Sequence, residues 1–291
     1  MKSRFGAKPY YAFIPCIILF FVFCILPHLT NFYYALTEFN GITVKQFVGL
    51  RNFAEIFRRG TLWKATGISM LIAVLVTVLQ NVLAVAVAIL VSLKVKGSDF
   101  FRSVYFFPTA MGIFACATVW NILLDSNYGQ VTAFFSALGI HAQFFGTTKS
   151  VYTVIGIQVW MSFGYAMTIY YAGIKSISSD IIEASIIDRA TLWQQIRYII
   201  LPMLMPSVRI NLLLSVIGAL QLRDIIFLTT AGGPMESSTN LPMLIYDEAF
   251  GSGLHGLAAA YNVILLVLIL VVAGIVLLVT NLADKEQSPC S

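Results

Sequence analysis

Charged residues are scarce in this sequence, because Asp, Glu, Lys and Arg make up only 11% of its 291 residues. A typical soluble domain has about 25% charged residues and about 45–50% apolar residues. Here hydrophobic residues reach 59%, and the mean hydropathy is +0.86. Such a chain is too apolar to be disordered and has too little charge for a solvated surface around a soluble core. The composition therefore predicts a polytopic membrane protein.

Cysteine and histidine are also scarce, with four and three residues respectively. The sequence contains no CxxC pair, HExxH motif or Cys/His cluster, which argues against a disulfide scaffold and against a metal site. It also contains no Gly-x4-Gly-Lys-Ser/Thr loop for ATP. The net charge of +5 comes from Lys and Arg scattered over short connectors, which does not indicate nucleic-acid binding. We therefore expect no catalytic residue, cofactor or metal in this chain.

Six apolar segments are long enough to cross a bilayer, which takes about 20 residues for a helix. They cover approximately residues 10–36, 65–93, 104–124, 151–174, 201–228 and 258–282. Lipid cannot satisfy backbone polar groups, so we expect these segments to be helices. The connectors leave no room for a soluble domain, and no internal repeat is visible. The prediction is a single all-α domain over residues 1–291 with six transmembrane helices.

The distribution of Lys and Arg predicts the orientation of these spans. If the N-terminus is cytoplasmic, the inner segments hold ten of these residues and the outer connectors hold six. The first outer connector is the exception to this bias. There Leu50, Phe53, Ala54 and Phe57 recur at helical spacing among basic residues, which is typical of an amphipathic helix at the interface. We therefore expect both termini to be cytoplasmic.

The connector 175–200 differs from the others in carrying a helix pattern of its own. Asp180 is placed to cap a helix that begins at Ile181, and Glu183 follows three residues later, as in a capping box. Three isoleucines make one apolar stripe: Ile182, Ile186 and Ile187. Pro202 is expected in the first turn of the next span. The pattern predicts a short amphipathic helix on the cytoplasmic side, which rests on the bilayer surface or docks to a partner.

This connector resembles the EAA motif of ABC importer permeases, in which Glu-Ala-Ala is followed by a glycine and then by Ile-x-Leu-Pro. The matching residues are Glu183, Ala184 and Ser185, then Asp188, Arg189 and Ala190, and finally Ile199, Ile200, Leu201 and Pro202. The sequence departs from the motif at one position. The motif has a glycine there, which permits a tight turn, and this sequence has Arg189. Arg189 therefore requires either a helical backbone or a costlier turn.

Residues outside this connector are similar to the sugar-type subfamily, which takes up oligosaccharides and glycerol phosphates with a binding protein. They are residues 47–53, Asp224, 228–234, Tyr246, Ala249, Phe250, Gly256 and 258–260. The similarity covers nearly the whole chain. It implies the fold of a type I ABC importer permease in a bacterial cytoplasmic membrane.

The resemblance also implies partners and a coupling site. In such importers the connector is a coupling helix, which lies in a groove of a cytoplasmic ATPase subunit. The residues carried over to this contact are Glu183, Ala184, Ser185 and Asp188, with Arg189 and Trp193 beside them. The expected partners are a second homologous permease, two ATPase subunits that bind ATP and Mg²⁺, and an extracytoplasmic binding protein that delivers a carbohydrate.

Polar residues of the fourth and fifth spans are candidates for the substrate path, which these spans line in the resembled family. The candidates are Gln158, Ser162, Tyr165, Asn211, Ser215 and Gln221. Neutral amides and hydroxyls suit sugar hydroxyls and do not suit a multiply charged ion. They could instead hold helices together, and that alternative is favoured for a stripe on the second span. This stripe comprises Thr77, Gln80, Asn81, Ala84 and Ala88.

Three other functions stay open at this point. The first is a permease of the same class for a solute that is not a sugar. The second is an ion-coupled secondary transporter, which should have broken helices with charged residues at mid-bilayer, or an internal repeat. The third is a membrane enzyme, for which the sequence shows no constellation of nucleophile, base or metal ligands.

Overall fold

The computed structural model describes residues 13–93, 97–141 and 143–287. Several basic residues that contribute to the predicted orientation lie outside this part: Lys2, Arg4, Lys8, Lys94 and Lys96. The chain forms two compact units, one of residues 1–62 with 244–266 and one of residues 63–243 with 267–291. Helices dominate the described residues of both units.

The first unit begins with a helical run, Ile14–Ala35, that is long and apolar enough to cross a membrane. It consists of α1 Ile14–Phe20, a π-helical turn Phe21–Ile25 and α2 Leu26–Ala35. The wide turn directly precedes Pro27, and the Leu26 N–H donates to the carbonyl of Phe21. A proline ring clashes with the carbonyl four residues earlier, so widening the helix before Pro27 relieves that clash.

A β-hairpin follows this run, which the sequence analysis did not predict. Strand β1 Thr37–Phe39 pairs antiparallel with β2 Val44–Phe47. In the turn, Asn40 Oδ1 accepts hydrogen bonds from the backbone N–H groups of Ile42 at 3.1 Å and Thr43 at 2.8 Å. Hydrogen bonds from Lys45 and then Gln46 lower the pKa of the Glu38 carboxyl. The hairpin escapes prediction because β2 is exposed along its whole length and shows no apolar alternation.

Helix α3 Arg51–Arg58 occupies the place where the sequence predicts an amphipathic interfacial helix. Asn52 ties its first turn to the hairpin by donating to the carbonyls of Ala35 at 2.9 Å and Thr37 at 3.0 Å. At the other end, Arg59 forms ion pairs with Glu55 at 2.6 Å and with the buried Glu248 at 2.7 Å. These contacts join α3 to residues of the second segment of the first unit.

The second unit contains the remaining helices, three of which extend into the first unit. They are α4 Gly60–Ser92, α5 Ser98–Ala110, α6 Ile113–Leu123, α7 Gln130–Ala137, α8 Ser150–Lys175, α9 Ser179–Ile187, α10 Leu192–Gln195, α11 Leu201–Met203, α12 Met205–Leu220, α13 Asp224–Thr229, α14 Leu241–Tyr246 and α15 His255–Gln287. Its main core joins buried side chains of α4, α8, α12 and α13, such as Ile72, Val154, Leu220 and Ile226. Gly164 of α8 packs against the Tyr105 carbonyl of α5 so closely that a Cβ atom would lie 2.2 Å from it. Small residues let membrane helices approach in this way.

Two of the predicted spans are bent pairs of helices rather than single helices. The segment predicted over 104–124 bends by 97° between α5 and α6, and the helical run Leu192–Met203 bends by 66° before α12. The fifth predicted span, 201–228, therefore begins earlier than expected and its long helix ends at Leu220. The run Leu192–Met203 contains a second π-helical turn, Ile196–Ile200, which precedes Pro202 as the first π-helical turn precedes Pro27.

Three helices are long and apolar enough to cross a membrane, or up to five if each bent pair counts as one span. The three are Ile14–Ala35, Gly60–Ser92 and His255–Leu282. Helix α8, with 26 residues, covers the predicted fourth span but is not among them. Its glutamine, serine, threonine and tyrosine residues lower its mean hydropathy. By length and composition alone the described helices therefore support a membrane protein but not the number six.

Candidate functional site

Helices α4, α8 and α12 enclose a cavity of about 120 Å³ in the second unit. It is lined by Val76, Gln80, Gln158, Ser162, Tyr165, Asn211, Leu214, Ser215, Gly218 and Ala219. Five of the six residues predicted for the substrate path are in this lining. The sixth, Gln221, is exposed at the C-terminal cap of α12 and does not line the cavity. None of the lining side chains carries a charge, so the cavity offers only amide, hydroxyl and apolar groups.

Ser162 connects α8 to α4. Ser162 Oγ lies 2.8 Å from Gln80 Oε1 and 2.6 Å from the main-chain oxygen of Gln158. A hydroxyl has one proton, so it serves one of these two acceptors at a time. On α12, Asn211 donates from Nδ2 to the carbonyl of Ala166 at 3.1 Å. Two of the predicted path residues therefore hold helices together and also line the cavity.

Asn81 is the centre of a buried hydrogen-bond network beside the cavity. Its Nδ2 donates to Ser215 Oγ at 3.0 Å and to the Thr77 carbonyl at 2.8 Å, and its Oδ1 accepts from the Tyr170 hydroxyl at 2.7 Å. The network joins α4, α8 and α12. Further along α4, Ala84 and Ala88 are buried in a cluster with Tyr170. This part of the second-span stripe packs helices together, as the sequence analysis favoured.

Gln80 departs from that interpretation, because it lies in the cavity lining. Helical spacing alone grouped Gln80 with the packing stripe. Spacing places Gln80 and Asn81 on adjacent positions of one helix but does not say which of the two meets a neighbouring helix. The position of α8 decides which of the two residues meets a neighbouring helix, and the sequence of α4 does not predict that position.

The connector between α8 and α12 forms two short helices, α9 and α10, joined by a tight turn. Helix α9 begins at Ser179, and its cap is Ser178, whose Oγ accepts from the Asp180 N–H at 3.3 Å. The prediction that Asp180 caps a helix starting at Ile181 was therefore wrong. Serine two residues earlier is an equally good cap, and Asp180 lies in the first turn, where a carboxylate is favoured by the helix dipole.

A capping box does occur in this connector, but at the second helix. The Thr191 hydroxyl accepts from the Gln194 N–H at 3.3 Å, and Gln194 Oε1 accepts from the Thr191 N–H at 2.7 Å. The sequence analysis predicted the capping box at Asp180 and Glu183 and overlooked this one. The Thr-x-x-Gln spacing is a signal that could have revealed the second helix.

The turn between the two helices has left-handed backbone geometry at Arg189, with φ of 58°. The Ala190 N–H donates to the Ser185 carbonyl at 2.9 Å, and the Arg189 N–H donates to the Ile186 carbonyl at 3.0 Å. This pair of bonds is the Schellman motif, whose left-handed position usually holds glycine. Of the two alternatives stated for Arg189, the structure shows the costlier turn. The backbone keeps the geometry of the motif's glycine although the residue has changed.

The predicted coupling residues differ in accessibility. Glu183, Ala184, Asp188, Arg189 and Trp193 are exposed, whereas Ser185 is buried and donates from Oγ to the Ile182 carbonyl at 2.6 Å. Large apolar side chains are exposed beside them: Ile186, Ile187, Leu192, Trp193 and Tyr198. Ile187 is 81% exposed and Trp193 is 70% exposed. Exposed apolar groups clustered among charged ones are typical of a protein-interaction surface. We call residues 178–198 the coupling loop.

The sequence matches one family model over residues 80–283, described as the inner membrane component of binding-protein-dependent transport systems. This match covers more than two thirds of the chain, and it includes both the cavity and the coupling loop.

Similar proteins are described as sugar transport permeases. A multiple sugar-binding transport system permease protein from Streptococcus mutans is 31% identical over 262 residues, which are 88% of this chain and 89% of the relative. A probable permease for starch degradation products from Thermoanaerobacterium thermosulfurigenes is 28% identical over 280 residues, 96% of either chain. A trehalose/maltose transport permease from Thermococcus litoralis is 28% identical over 273 residues, 93% of this chain and 92% of the relative.

Among solved structures, a chain of a bacterial alginate ABC transporter has the same fold. That crystal structure holds the transporter in complex with a periplasmic protein bound to an alginate pentasaccharide. The TM-score is 0.83 at 20% identity, over 95% of this chain and 94% of that chain. The family match and the relatives agree with the mostly helical membrane fold. The protein thus belongs to the family of inner membrane components of binding-protein-dependent transport systems, and it is a non-enzymatic ABC transporter permease.

Proposed function

We propose that this chain forms, with a second homologous permease, the path by which an ATP-driven importer takes up an oligosaccharide. An extracytoplasmic binding protein delivers the sugar, and two cytoplasmic ATPase subunits bind ATP and Mg²⁺. The observation that carries the choice of substrate is the uncharged cavity between α4, α8 and α12. Amide and hydroxyl groups with an aromatic neighbour, Tyr165, match the hydroxyls and apolar faces of a sugar. The transport of sugars by named relatives supports the same class.

The coupling loop provides the contact for an ATPase subunit. It follows directly from the C-terminal end of α8 and leads through the bent run Leu192–Met203 into α12. These are two of the three helices that line the cavity. A docked loop that moves with its partner therefore tilts the cavity walls as rigid bodies. Glu183, Asp188, Arg189, Trp193 and the exposed Ile187 make this contact.

The proposed topology has six spans with both termini in the cytoplasm of a bacterial cell. Support comes from adding α8 to the three long apolar helices and the two bent pairs. Its polar residues point to a protein-lined position, where a span needs less hydropathy than one that faces lipid. A coupling loop that meets a cytoplasmic ATPase requires the C-terminal end of α8 to be on the cytoplasmic side.

One observation favours a second candidate, an ion-coupled secondary transporter. Broken helices are typical of such transporters, and the two bent pairs are broken in this sense. A coupling-ion site would also need a carboxylate or a cluster of carbonyl groups in the cavity. The cavity lining contains no carboxylate, so the importer remains the better-supported function.

Purification of the complex tests this proposal. The tagged chain is isolated from its own host in mild detergent, and its companions are identified by mass spectrometry. The expected result is a second permease and an ATPase subunit in near-integral ratio. If the chain purifies alone in several gentle detergents and drives ion-coupled uptake in liposomes, the importer assignment fails.

A substitution in the coupling loop tests the docking role within that complex. Glu183→Ala should abolish uptake while leaving membrane insertion intact, because the Glu183 side chain is exposed and its carboxylate makes no hydrogen bond or ion pair to any described residue. The matched control is Glu38→Ala, which removes an exposed carboxylate from the hairpin in the other unit. Equal uptake by the two variants would contradict the role of Glu183.

A further inference from the structure

The side-chain amide of Gln80 has a hydrogen-bond partner for its oxygen but none, among the described residues, for its nitrogen. The side chain is buried, with only 5% of the residue exposed. Its Oε1 accepts from Ser162 at 2.8 Å, and its Nε2 has no hydrogen-bond partner among the residues that the structure describes. Nε2 is not among the fully enclosed polar atoms of the described residues that lack a partner, so it is accessible from the cavity and not sealed in the protein. Because Gln80 lines the cavity, its Nε2 can meet an acceptor there.

The neighbouring residue on α4 shows what a purely structural amide looks like in this bundle. Asn81 is buried to nearly the same extent, with 7% exposed. Its oxygen and its nitrogen both bond to protein groups, on α8, on α12 and on α4 itself. Packing of α4 therefore uses all of Asn81 but only the oxygen of Gln80.

Other free polar groups converge on the same cavity. The side-chain amide of Gln158 and the hydroxyl of Tyr165 make no hydrogen bond to any described residue. Ser215 Oγ accepts from Asn81, and its own proton is left to donate. Together with Gln80 Nε2 these groups offer both donors and acceptors but no cation. A ligand with many hydroxyls and no charge satisfies them, whereas a carboxylate-bearing sugar would lose water without gaining a counter-charge.

We propose that Gln80 is a substrate-contacting residue that donates from Nε2 to an oxygen of a neutral sugar, and that Ser162 holds its amide in that orientation. This inference rests on the proposed import of oligosaccharides. It adds α4 to the helices that contact the substrate, and it assigns the path to neutral rather than acidic oligosaccharides.

The test uses the complete importer with its own binding protein in proteoliposomes. Uptake is measured for a panel of neutral di- to pentasaccharides and for uronic-acid oligosaccharides of the same lengths. We expect uptake of neutral sugars. Uptake of uronic-acid sugars alone would overturn the inference while leaving the importer intact, and uptake of no sugar by the wild type would overturn the proposed function itself.

Gln80→Met keeps the length of the side chain and removes its hydrogen bonds. For the best neutral sugar, uptake should fall by about twofold to tenfold, the worth of one hydrogen bond. The matched control is Thr77→Val, one turn away on α4, whose hydroxyl is buried without a partner and whose side chain does not line the cavity. This control should transport as the wild type does.

Deoxy analogues of that sugar separate contact from a structural role. The wild type should lose about twofold to tenfold in uptake for the analogue that lacks the contacted oxygen. Gln80→Met should show no further loss with that analogue. An equal loss for every analogue, or wild-type uptake by Gln80→Met, would overturn the inference. Unchanged melting and co-purification of the ATPase show that the variant is folded and assembled.

Discussion

The cavity and the coupling loop belong to the same unit of the molecule, but their polar side chains find hydrogen-bond partners in different places. In the cavity Ser162 and Asn211, and beside it Asn81, bond to residues on other helices. In the coupling loop, polar side chains such as Ser178, Ser185 and Thr191 bond to backbone or side chains within three residues. The larger charged and apolar side chains of the loop are exposed.

The difference follows from the surroundings of each region. Lipid offers no hydrogen bonds, so polar groups within the bundle must find partners on neighbouring helices. Water forms hydrogen bonds with the exposed polar groups of the loop, so its helix caps and turns need partners only from the local chain. The cavity is therefore organised by long-range contacts, and the loop by short-range contacts that leave its outer face free. Four substitutions test this contrast.

Asn81→Ala should have the largest effect on stability. It removes both interhelical bonds of Asn81 and leaves the Tyr170 hydroxyl and Ser215 without this partner. The expected loss is about 2 kcal/mol of unfolding free energy, since interhelical hydrogen bonds in membranes contribute roughly 1 kcal/mol each. Thermal unfolding in detergent measures it. Tyr170→Phe removes one of the two bonds and should lose about half as much; an Asn81→Ala protein as stable as the wild type would show that long-range bonds do not organise the cavity.

Ile187→Asp should have the next largest effect, and on coupling rather than on stability. Ile187 is 81% exposed, so a carboxylate there costs the isolated chain little but opposes an apolar contact with a partner. Sugar-stimulated ATP hydrolysis by the complex should fall about tenfold, which corresponds to roughly 1.4 kcal/mol of lost docking energy. The control is Ile42→Asp at the tip of the hairpin, where isoleucine is 89% exposed. Equal rates of ATP hydrolysis by the two variants would show that the outer face of the loop matters no more for coupling than another exposed surface.

Arg189→Gly should raise stability, because left-handed backbone costs a residue with a side chain roughly 1–2 kcal/mol and costs glycine almost nothing. Glycine also gains freedom in the unfolded chain, so a net gain of about 1 kcal/mol is expected. Ala190→Gly, at the next residue, has no such strain to relieve and should lose stability. Chemical unfolding of both variants measures the difference, and a loss for Arg189→Gly would mean that its side chain stabilises the turn.

Glu38→Gln should have the smallest effect and concerns an exposed polar group in the other unit. Bonds from Lys45 and Gln46 lower the pKa of Glu38, so the ionised form is favoured by folding. Its contribution is present above the unfolded-state pKa of about 4.3 and is lost as the pH falls through the lowered pKa. The variant should melt slightly earlier than the wild type at neutral pH and equally once the pH lies well below the lowered pKa. A difference that persists in acid would contradict this assignment.

Local signals in the sequence identified several features that the structure contains. The helical run at Ile14–Ala35, helix α3 and the position of α9 follow from periodicity and composition. Local signals failed where two alternatives are close in energy. Ser178 competes with Asp180 as a cap two residues away. The bends before Ile113 and Met205 interrupt apolar segments whose composition alone predicts continuous spans.

The sequence by itself determined the class of the protein, the position of its three long apolar helices and the place of the short helix α9, because these depend on composition and short-range pattern. Only the tertiary structure decided which polar groups face the cavity. Gln80 and Asn81 are adjacent glutamine and asparagine on one helix. Only the positions of α8 and α12 place Gln80 in the lining of this cavity and give both ends of the Asn81 amide a partner on another helix. The sequence left two alternatives for the backbone of Arg189, and the local hydrogen bonds that close its turn decide between them.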